Sequence, residues 1–381
     1  MATSQDRRRF AFMTIGPFSG TNAPVLERLR AEFPELDADH IDIPMWVRAH
    51  RGILIRNLGH VLTEHGPAVF RDRDRLWGVF FRTPYMFETI RRAMNERLKG
   101  GGYAFSLQTQ SLFDGSGGGI PHFVYTDHTE LVNRYYPDHD PALAPSERWL
   151  ELERRIYEHA ALTFTMSSHV SRSLTEQYSI GSARVRCVRA GSNVAPTLGS
   201  AGAEPAYASK RILFVGRQWE RKGGPDLVAA FQLVRERHPD ASLVIAGCAP
   251  EIRLEGVEVL GEISAERLEE QYARAAVFCM PTLVEPFGIV FIEALSRALP
   301  VVATSIGALP DMVQEGRSGY LHPPHDVQGF AGSLTTLLAD AELSRSLGEH
   351  GRAYVGERYT WTRAVGSMAA HIRSVSDVHI S

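Results

Sequence analysis

The chain has 381 residues, 44% of them hydrophobic and 22% charged, with a formal net charge of −3. That length exceeds what one core usually organises, so two domains are expected, and the composition is that of an ordinary globular protein. The near-neutral balance gives no global argument for nucleic-acid binding.

In chain order, strand and helix alternate almost throughout, which predicts α/β layers with largely parallel sheets. "FAFMTIG" (10–16) reads as a first strand, followed by a Gly/Pro/Ser turn and the helix "PVLERLRAEF". Further strands are expected at "ADHIDI", "YAFSLQTQ", "HFVYTDHT", "LTFTMSS" and "VRCVRAG", with helices at 83–98, 146–160 and near 170–178. Residues 44–82 give no clear pattern. "NVAPTLGSAGAEPAYAS" (193–209) lacks apolar periodicity and reads as a linker. A second series then begins with "RILFVG", a helix at 225–237, "SLVIAG", "VEVLG", a helix at 265–275 and "VFCMPT". An apolar helix before Pro300, the strand "VVATSI", a helix at 326–339 and a last one at 361–376 complete it.

Cys187, Cys248 and Cys279 each sit in an apolar strand-like run without metal-ligand spacing, so buried reduced thiols are expected. "DRRRF" leads into an apolar run too short for a signal core, and no run approaches the roughly 20 apolar residues that span a bilayer. The expected location is the cytoplasm, with the inner face of the membrane as the alternative.

The stretch "VEPFGIVFIEAL" (284–295) places Glu285 just before an apolar helix and Glu293 two turns inside it. The helix follows from the spacing of Ile289, Ile292, Leu295 and Leu299. A carboxylate within a buried run needs a partner. A solvated Glu285 and a Glu293 paired with a core arginine would be the plain structural explanation. Upstream, in "VGRQWERKGG", Arg217 and Lys222 follow a strand, and Gly223, Gly224 and Pro225 open the next helix. Two cations beside a helix N-terminus suit a diphosphate; two surface cations in a loop are the alternative. Both loops follow strands of one domain and should emerge at the same sheet edge.

The joint pattern, a GR-x4-KG loop with E-x7-E further on, resembles the retaining glycosyltransferases of family 4. "RALPVVATSIGALPDMVQEGRSGYLHPPHD" is similar to that family's continuation. The likeness is dense over 210–326 and thinner before it. It implies an α/β fold of the GT-B class, two Rossmann-like domains facing a central cleft. Residues 1–192 would form the acceptor-side domain, 193–209 the linker and 210–359 the nucleotide-sugar domain, with the C-terminal helix in 360–381 packing back on the first.

The resemblance also implies roles. Arg217 and Lys222 would neutralise the leaving diphosphate. Gly288, Ile289 and Val290, next to Phe287, would offer backbone N–H groups to phosphate. Glu293 would accept from the ribose hydroxyls, Glu285 would hold the donor sugar near its anomeric carbon, and Glu262 and Ile263 would lie near the base. In the first domain, His128 in "FVYTDHT" would face the donor sugar. Two departures stand out. Where relatives carry a Gly-rich first turn this chain has "IGPFSGTNAP", leaving Gly16 to approach phosphate or acceptor. "SIGALP" has Gly307–Ala308 where Gly-Gly is common.

Asp-x-Asp pairs at 37/39, 72/74 and 138/140 lie in charged segments away from these motifs and read as solvated, so no metal site is expected. No cofactor is implied beyond the nucleotide diphosphate-sugar donor. The basic helix "ETIRRAMNERLKGG" (88–101) could dock on anionic lipid or be an ordinary solvated helix. The expected activity is transfer of a sugar to a saccharide or lipid-linked acceptor, in glycan, polysaccharide or glycolipid synthesis. A nucleotide-sugar epimerase and a silent nucleotide-binding scaffold are the rivals.

Overall fold

The computed structural model describes residues 8–137, 146–193 and 205–376. The Asp138/Asp140 pair and most of the linker segment lie outside them. The chain divides into two compact units. The first runs from the amino terminus to Tyr135, continues to Arg189 and takes in the chain from Trp361 onward, while the second holds Ala190–Thr360 with a short piece after Tyr135.

The first unit is built on six parallel strands: β1 (Arg9–Thr14), β2 (Asp37–Asp42), β3 (Tyr103–Thr109), β4 (His122–Thr126), β5 (Leu162–Thr165) and β6 (Val185–Cys187). Their order is β2-β1-β3-β4-β5-β6, so the direction of winding reverses between β1 and β3. Side chains alternate across the pleat. One face carries Phe10, Phe105, Phe123 and Phe164 in contact from strand to strand, with centroids 5.2, 6.0 and 5.9 Å apart. The last helix, Trp361–Val375, covers this face beside helix Asn22–Glu32. His371 meets Phe164 edge-on, and Arg373 lies over Phe33 and donates to the Glu32 carbonyl. Those contacts bind the end of the chain to its beginning.

The opposite face packs Ala11, Met13 and Ile41 against residues 43–98. The segment without a clear sequence pattern is helical: Ile43–Ala49, Arg51–His65, a 3-10 turn Pro67–Arg71 and Arg73–Phe80. Asn57, fully buried, donates to the Phe80 carbonyl at 2.7 Å and accepts from Thr83, fastening this excursion to the body. Helix Pro84–Lys99 buries Met86, Phe87, Ile90, Met94 and Leu98. Its apolar side is therefore spent on the core, and two of its three arginines pair within the unit, Arg91 with Asp114 and Arg97 with Asp39.

The second unit repeats the plan with β7 (Arg211–Val215), β8 (Ser242–Ala246), β9 (Val257–Gly261), β10 (Val277–Met280), β11 (Val301–Thr304) and β12 (Gly319–His322). All pair in parallel, in the order β12-β11-β10-β7-β8-β9. β7, β8, β10 and β11 are almost wholly buried, as parallel strands covered on both faces should be. Winding reverses between β7 and β10. Among the elements that the sequence pattern does not predict are β12 and the 18-residue helix Ala341–Arg358. That helix packs on helix Ile289–Ser296, and a Cβ at Gly348 would stand 1.8 Å from the Ala298 carbonyl.

None of the three cysteines is in a disulfide. Only Cys279 is buried; Cys248 is half-buried and Cys187, at the end of the edge strand β6, is exposed. The expectation of three buried thiols is corrected: Cys187 ends the edge strand β6, which has a neighbour on one side only, and Cys248 lies in the loop after β8.

Candidate active site

In an open parallel sheet, ligands bind beyond the carboxyl ends of the strands where winding reverses. In the second unit that point lies between β7 and β10, whose loops carry Arg217, Lys222 and Glu285. The two loops interlock. The Arg221 carbonyl accepts from Leu283 N at 2.9 Å, and the Arg221 guanidinium donates to the Val284 carbonyl at 2.7 Å. Gly223 has φ 71°, and a Cβ there would stand 1.8 Å from the Pro281 carbonyl oxygen. Only glycine allows that approach. A third loop comes in from β11: Gly307, at φ 56°, would drive a Cβ to 1.9 Å from the Glu285 carbonyl. The next residue, Ala308, is buried in the ordinary right-handed region, so a second glycine is not required there.

Between these loops Lys222 Nζ donates to Glu285 Oε2. Glu285 is 5% exposed, so the solvated alternative is wrong. Burial pushes the Lys222 ammonium below the usual lysine range, opposed by Glu285 and reinforced by Arg221. Desolvation thus leaves this cation short of negative charge.

Gly288, at φ 95°, caps helix Ile289–Ser296. The first amides of a helix have no partner within it, which leaves Ile289 N and Val290 N to serve an anion. The Phe287 ring is buried and meets Tyr359 at 6.3 Å, so only its backbone is placed to serve a ligand. Glu293 is the fifth residue of that helix, little more than one turn from its start. Burial raises its pKa, with nearby Arg297 and the Tyr272 hydroxyl opposing that and Glu269 adding to it. Arg297 does not ion-pair with it; its guanidinium goes to Glu269 and to the Glu293 carbonyl. The carboxylate accepts one long hydrogen bond, from Tyr272 at 3.4 Å. It retains capacity for a ligand.

Beside the pair, a cavity of about 240 Å³ is lined by Gly216, Arg217, Gly247, Glu262, Ile263 and Leu268, among others. Its rim is tied by Gly216 N to the Ala246 carbonyl at 2.9 Å and Gly247 N to the Gly261 carbonyl at 2.8 Å. Arg217 and Glu262 are exposed and Ile263 half-buried. Arg221, Tyr272 and Gly247 were not singled out from the sequence. Arg221 sits inside the quoted "ERKGG", whereas Tyr272 and Gly247 carry no local signal.

In the first unit, Gly16 follows β1 with φ 65° and open space about it, and its carbonyl accepts from Asn22 at 2.9 Å. His128 follows β4, mostly buried, its Nδ1 3.0 Å from Asp127 Oδ1. Burial, the largest influence, lowers its pKa, but Asp127, Glu153 and Glu130 together raise it above the ordinary value of 6.5. The loop is fixed by the buried Glu153, which accepts from Glu130 N at 3.1 Å, Ser111 at 2.9 Å, Tyr157 at 3.0 Å and Tyr178. Of the Asp-x-Asp pairs, Asp39 accepts from Arg97 and Tyr103, and Asp72 pairs with Arg75.

Residues 209–340 match the family described as glycosyl transferases group 1. A D-inositol 3-phosphate glycosyltransferase of Corynebacterium urealyticum is 29% identical over 284 residues, 66% of this chain and 66% of that protein. The chain thus spans just under two thirds of the length of such curated relatives. Sucrose-phosphate synthase of Thermosynechococcus elongatus superposes with a TM-score of 0.67 at 21% identity, covering 97% of this chain and 99% of that one. HepE of Anabaena, in complex with UDP and glucose, does so with a TM-score of 0.63 at 14% identity, covering 96% and 100%. The fold is therefore GT-B, built on two parallel six-stranded sheets.

Proposed function

We propose that this chain is a retaining glycosyltransferase of the family 4 type that moves a sugar from a nucleotide diphosphate donor to an acceptor hydroxyl. The observation that supports it most is the buried Lys222–Glu285 pair at the winding reversal of the second sheet, next to the cavity under Arg217. In this reading the base enters that cavity near Glu262 and Ile263, and the ribose hydroxyls donate to Glu293. The diphosphate lies against Arg217, Lys222 and the amides that open the Ile289 helix. Glu285 accepts from hydroxyls of the donor sugar. His128 and Gly16, on the first unit, take the donor-sugar and phosphate-or-acceptor roles that the resemblance implies.

Charge drives the chemistry. As the bond from the anomeric carbon to the phosphate oxygen breaks, negative charge grows on the diphosphate, where the two cations and the helix N-terminus stabilise it. The acceptor oxygen attacks the same face, and its proton passes to the departing phosphate oxygen, so configuration is kept. Glu285 is the weaker candidate for a covalent nucleophile, because one of its oxygens already accepts from Lys222. The side-chain cations supply the positive charge that a metal would bring, hence a metal-independent reaction.

The test is a donor screen by mass spectrometry with uridine, guanosine and adenosine diphosphate sugars against simple sugars and lipid-linked acceptors. A transferred sugar with retained configuration supports the reading. Conversion of the donor without an acceptor would replace it with epimerisation. Nucleoside diphosphate binding by calorimetry without any turnover would leave a nucleotide-binding scaffold, and no binding at all an empty one.

A further inference from the structure

Seven large apolar side chains are exposed among the described residues. Five of them, Met45, Ile55, Leu62, Phe70 and Trp77, belong to the helical excursion between β2 and β3. Exposed apolar groups scattered singly over a surface are unremarkable; these five lie on the successive helices and turn of one segment, which pack on one another as the elements of a contact surface would. The same excursion, residues 43–82, carries seven arginines against Glu64, Asp72 and Asp74, a formal +4 in a chain whose total is −3. Arg48, Arg51, Arg56, Arg71, Arg73 and Arg75 are all exposed. On helix Arg51–His65 the inner line runs through Asn57 and Val61, both fully buried. Ile55 and Leu62, seven residues apart, share an outer line with Arg51. Ile55 is 67% and Leu62 48% exposed. The inner face is anchored to the core, so these outward residues have no further part in holding the unit together.

We propose that this excursion docks on an anionic lipid surface. Its apolar side chains enter the boundary between headgroups and acyl chains, and its arginines meet acidic headgroups. The charge pattern selects this partner. Arg82 is taken up by the buried Glu130, but the six exposed arginines still outnumber the acidic residues of the excursion, so a two-fold contact of the face with a second copy of itself would set positive charge against positive charge. A bilayer surface offers hydrocarbon and anions together, and arginine reaches the headgroups with its stem lying along apolar surface. Trp77 suits the same layer, where tryptophan is enriched. The excursion leaves the sheet from the carboxyl end of β2, the edge on which Gly16 and His128 follow β1 and β4. Docking would therefore bring that edge to where a lipid-borne hydroxyl acceptor resides. The docking does not depend on the transfer reading, since its test measures vesicle binding alone.

The experiment is flotation of the full chain with vesicles of phosphatidylcholine alone and of phosphatidylcholine mixed with phosphatidylglycerol. The chain should float with the mixed vesicles, not with phosphatidylcholine alone, and binding should fall as salt is added. The double variant Ile55→Ser/Leu62→Ser should lose about tenfold in vesicle affinity. Arg71→Glu/Arg73→Glu should do the same, each with an unchanged thermal melt. No flotation with anionic vesicles, or equal binding by both folded double variants and the native chain, overturns the proposal. So does a vesicle-free dimer, seen by light scattering, that Ile55→Ser/Leu62→Ser dissociates, because the face would then belong to a second copy.

Discussion

Lys222 and Glu285 come from loops that leave two adjacent strands, β7 and β10, and their charged ends meet where little solvent reaches: the side chains are 13% and 7% exposed. Removing one member of a buried pair strands the other charge. Lys222→Ala should therefore destabilise the folded chain by about 3–5 kcal/mol, measured by urea unfolding, besides weakening nucleoside diphosphate binding. Arg217 is exposed, so Arg217→Ala should leave stability nearly unchanged and still reduce turnover by about 2–4 kcal/mol. Near-normal turnover in both variants would refute the donor-site assignment.

The close approach of these loops can be tested through Gly223. Gly223→Ala combines a positive φ with a clash against the Pro281 carbonyl, while Gly16→Ala has a similar φ and open space. Backbone strain alone costs on the order of 1–3 kcal/mol. Gly223→Ala should cost clearly more than Gly16→Ala in denaturant unfolding and should abolish nucleotide binding by forcing the loops apart. Equal costs would show that the loops yield without consequence.

What could be read from the sequence followed from how local each signal is. β9 was expected at "VEVLG" and runs Val257–Gly261, because alternation and a closing glycine lie within five residues. The E-x7-E helix was equally legible, although it stops at Ser296 rather than continuing to Leu299: Ala298 turns to φ 58°. The helix Ala341–Arg358 was missed because Gly348, Gly351 and Gly356 depress its propensity. The first two are there for close packing on Ala298 and Leu295, which no local pattern reveals. The helices of 43–80 were obscured by the very residues that remain exposed, since apolar side chains on the outer face blur the amphipathic period. In the site, Lys222 and Glu285 were recognised as motif members, but their direct pairing is a tertiary fact.

His128 should titrate above 6.5, and its proton is linked to stability. Because the folded state raises its pKa, the contribution is fully present below about 6.5 and is lost as pH rises through the higher folded value. Proton-detected titration of its ring should give a midpoint above 6.5, and Asp127→Asn should lower it. Stability measured from pH 5 to 9 should lose part of its pH slope in His128→Asn. A midpoint at or below 6.5 in the native chain would mean that burial outweighs the carboxylates.

If Arg217 and Lys222 supply the charge at the diphosphate, turnover should persist in excess chelator. Complete loss that added divalent ion restores would instead direct attention to Asp72 and Asp74.

The two glutamates should separate binding from chemistry. If Glu293 holds the ribose, Glu293→Gln weakens the bare nucleoside diphosphate and the intact donor by similar factors, because those hydrogen bonds are equal in ground and transition states. Burial raises the Glu293 pKa, so nucleotide affinity in the native chain should fall as pH drops through that raised value, and the variant should lose this dependence. If Glu285 holds the sugar beside its anomeric carbon, Glu285→Gln leaves bare nucleotide binding nearly intact. Its effect falls on kcat, since positive charge grows at that carbon only as the bond to phosphate breaks. The amide also removes the negative partner of Lys222, so circular dichroism and unfolding must first establish that the variant is folded. Calorimetry with the nucleoside diphosphate and steady-state kinetics with the donor then distinguish the roles. Nucleotide affinity lost with Glu285→Gln, and turnover alone lost with Glu293→Gln, would reverse the assignment.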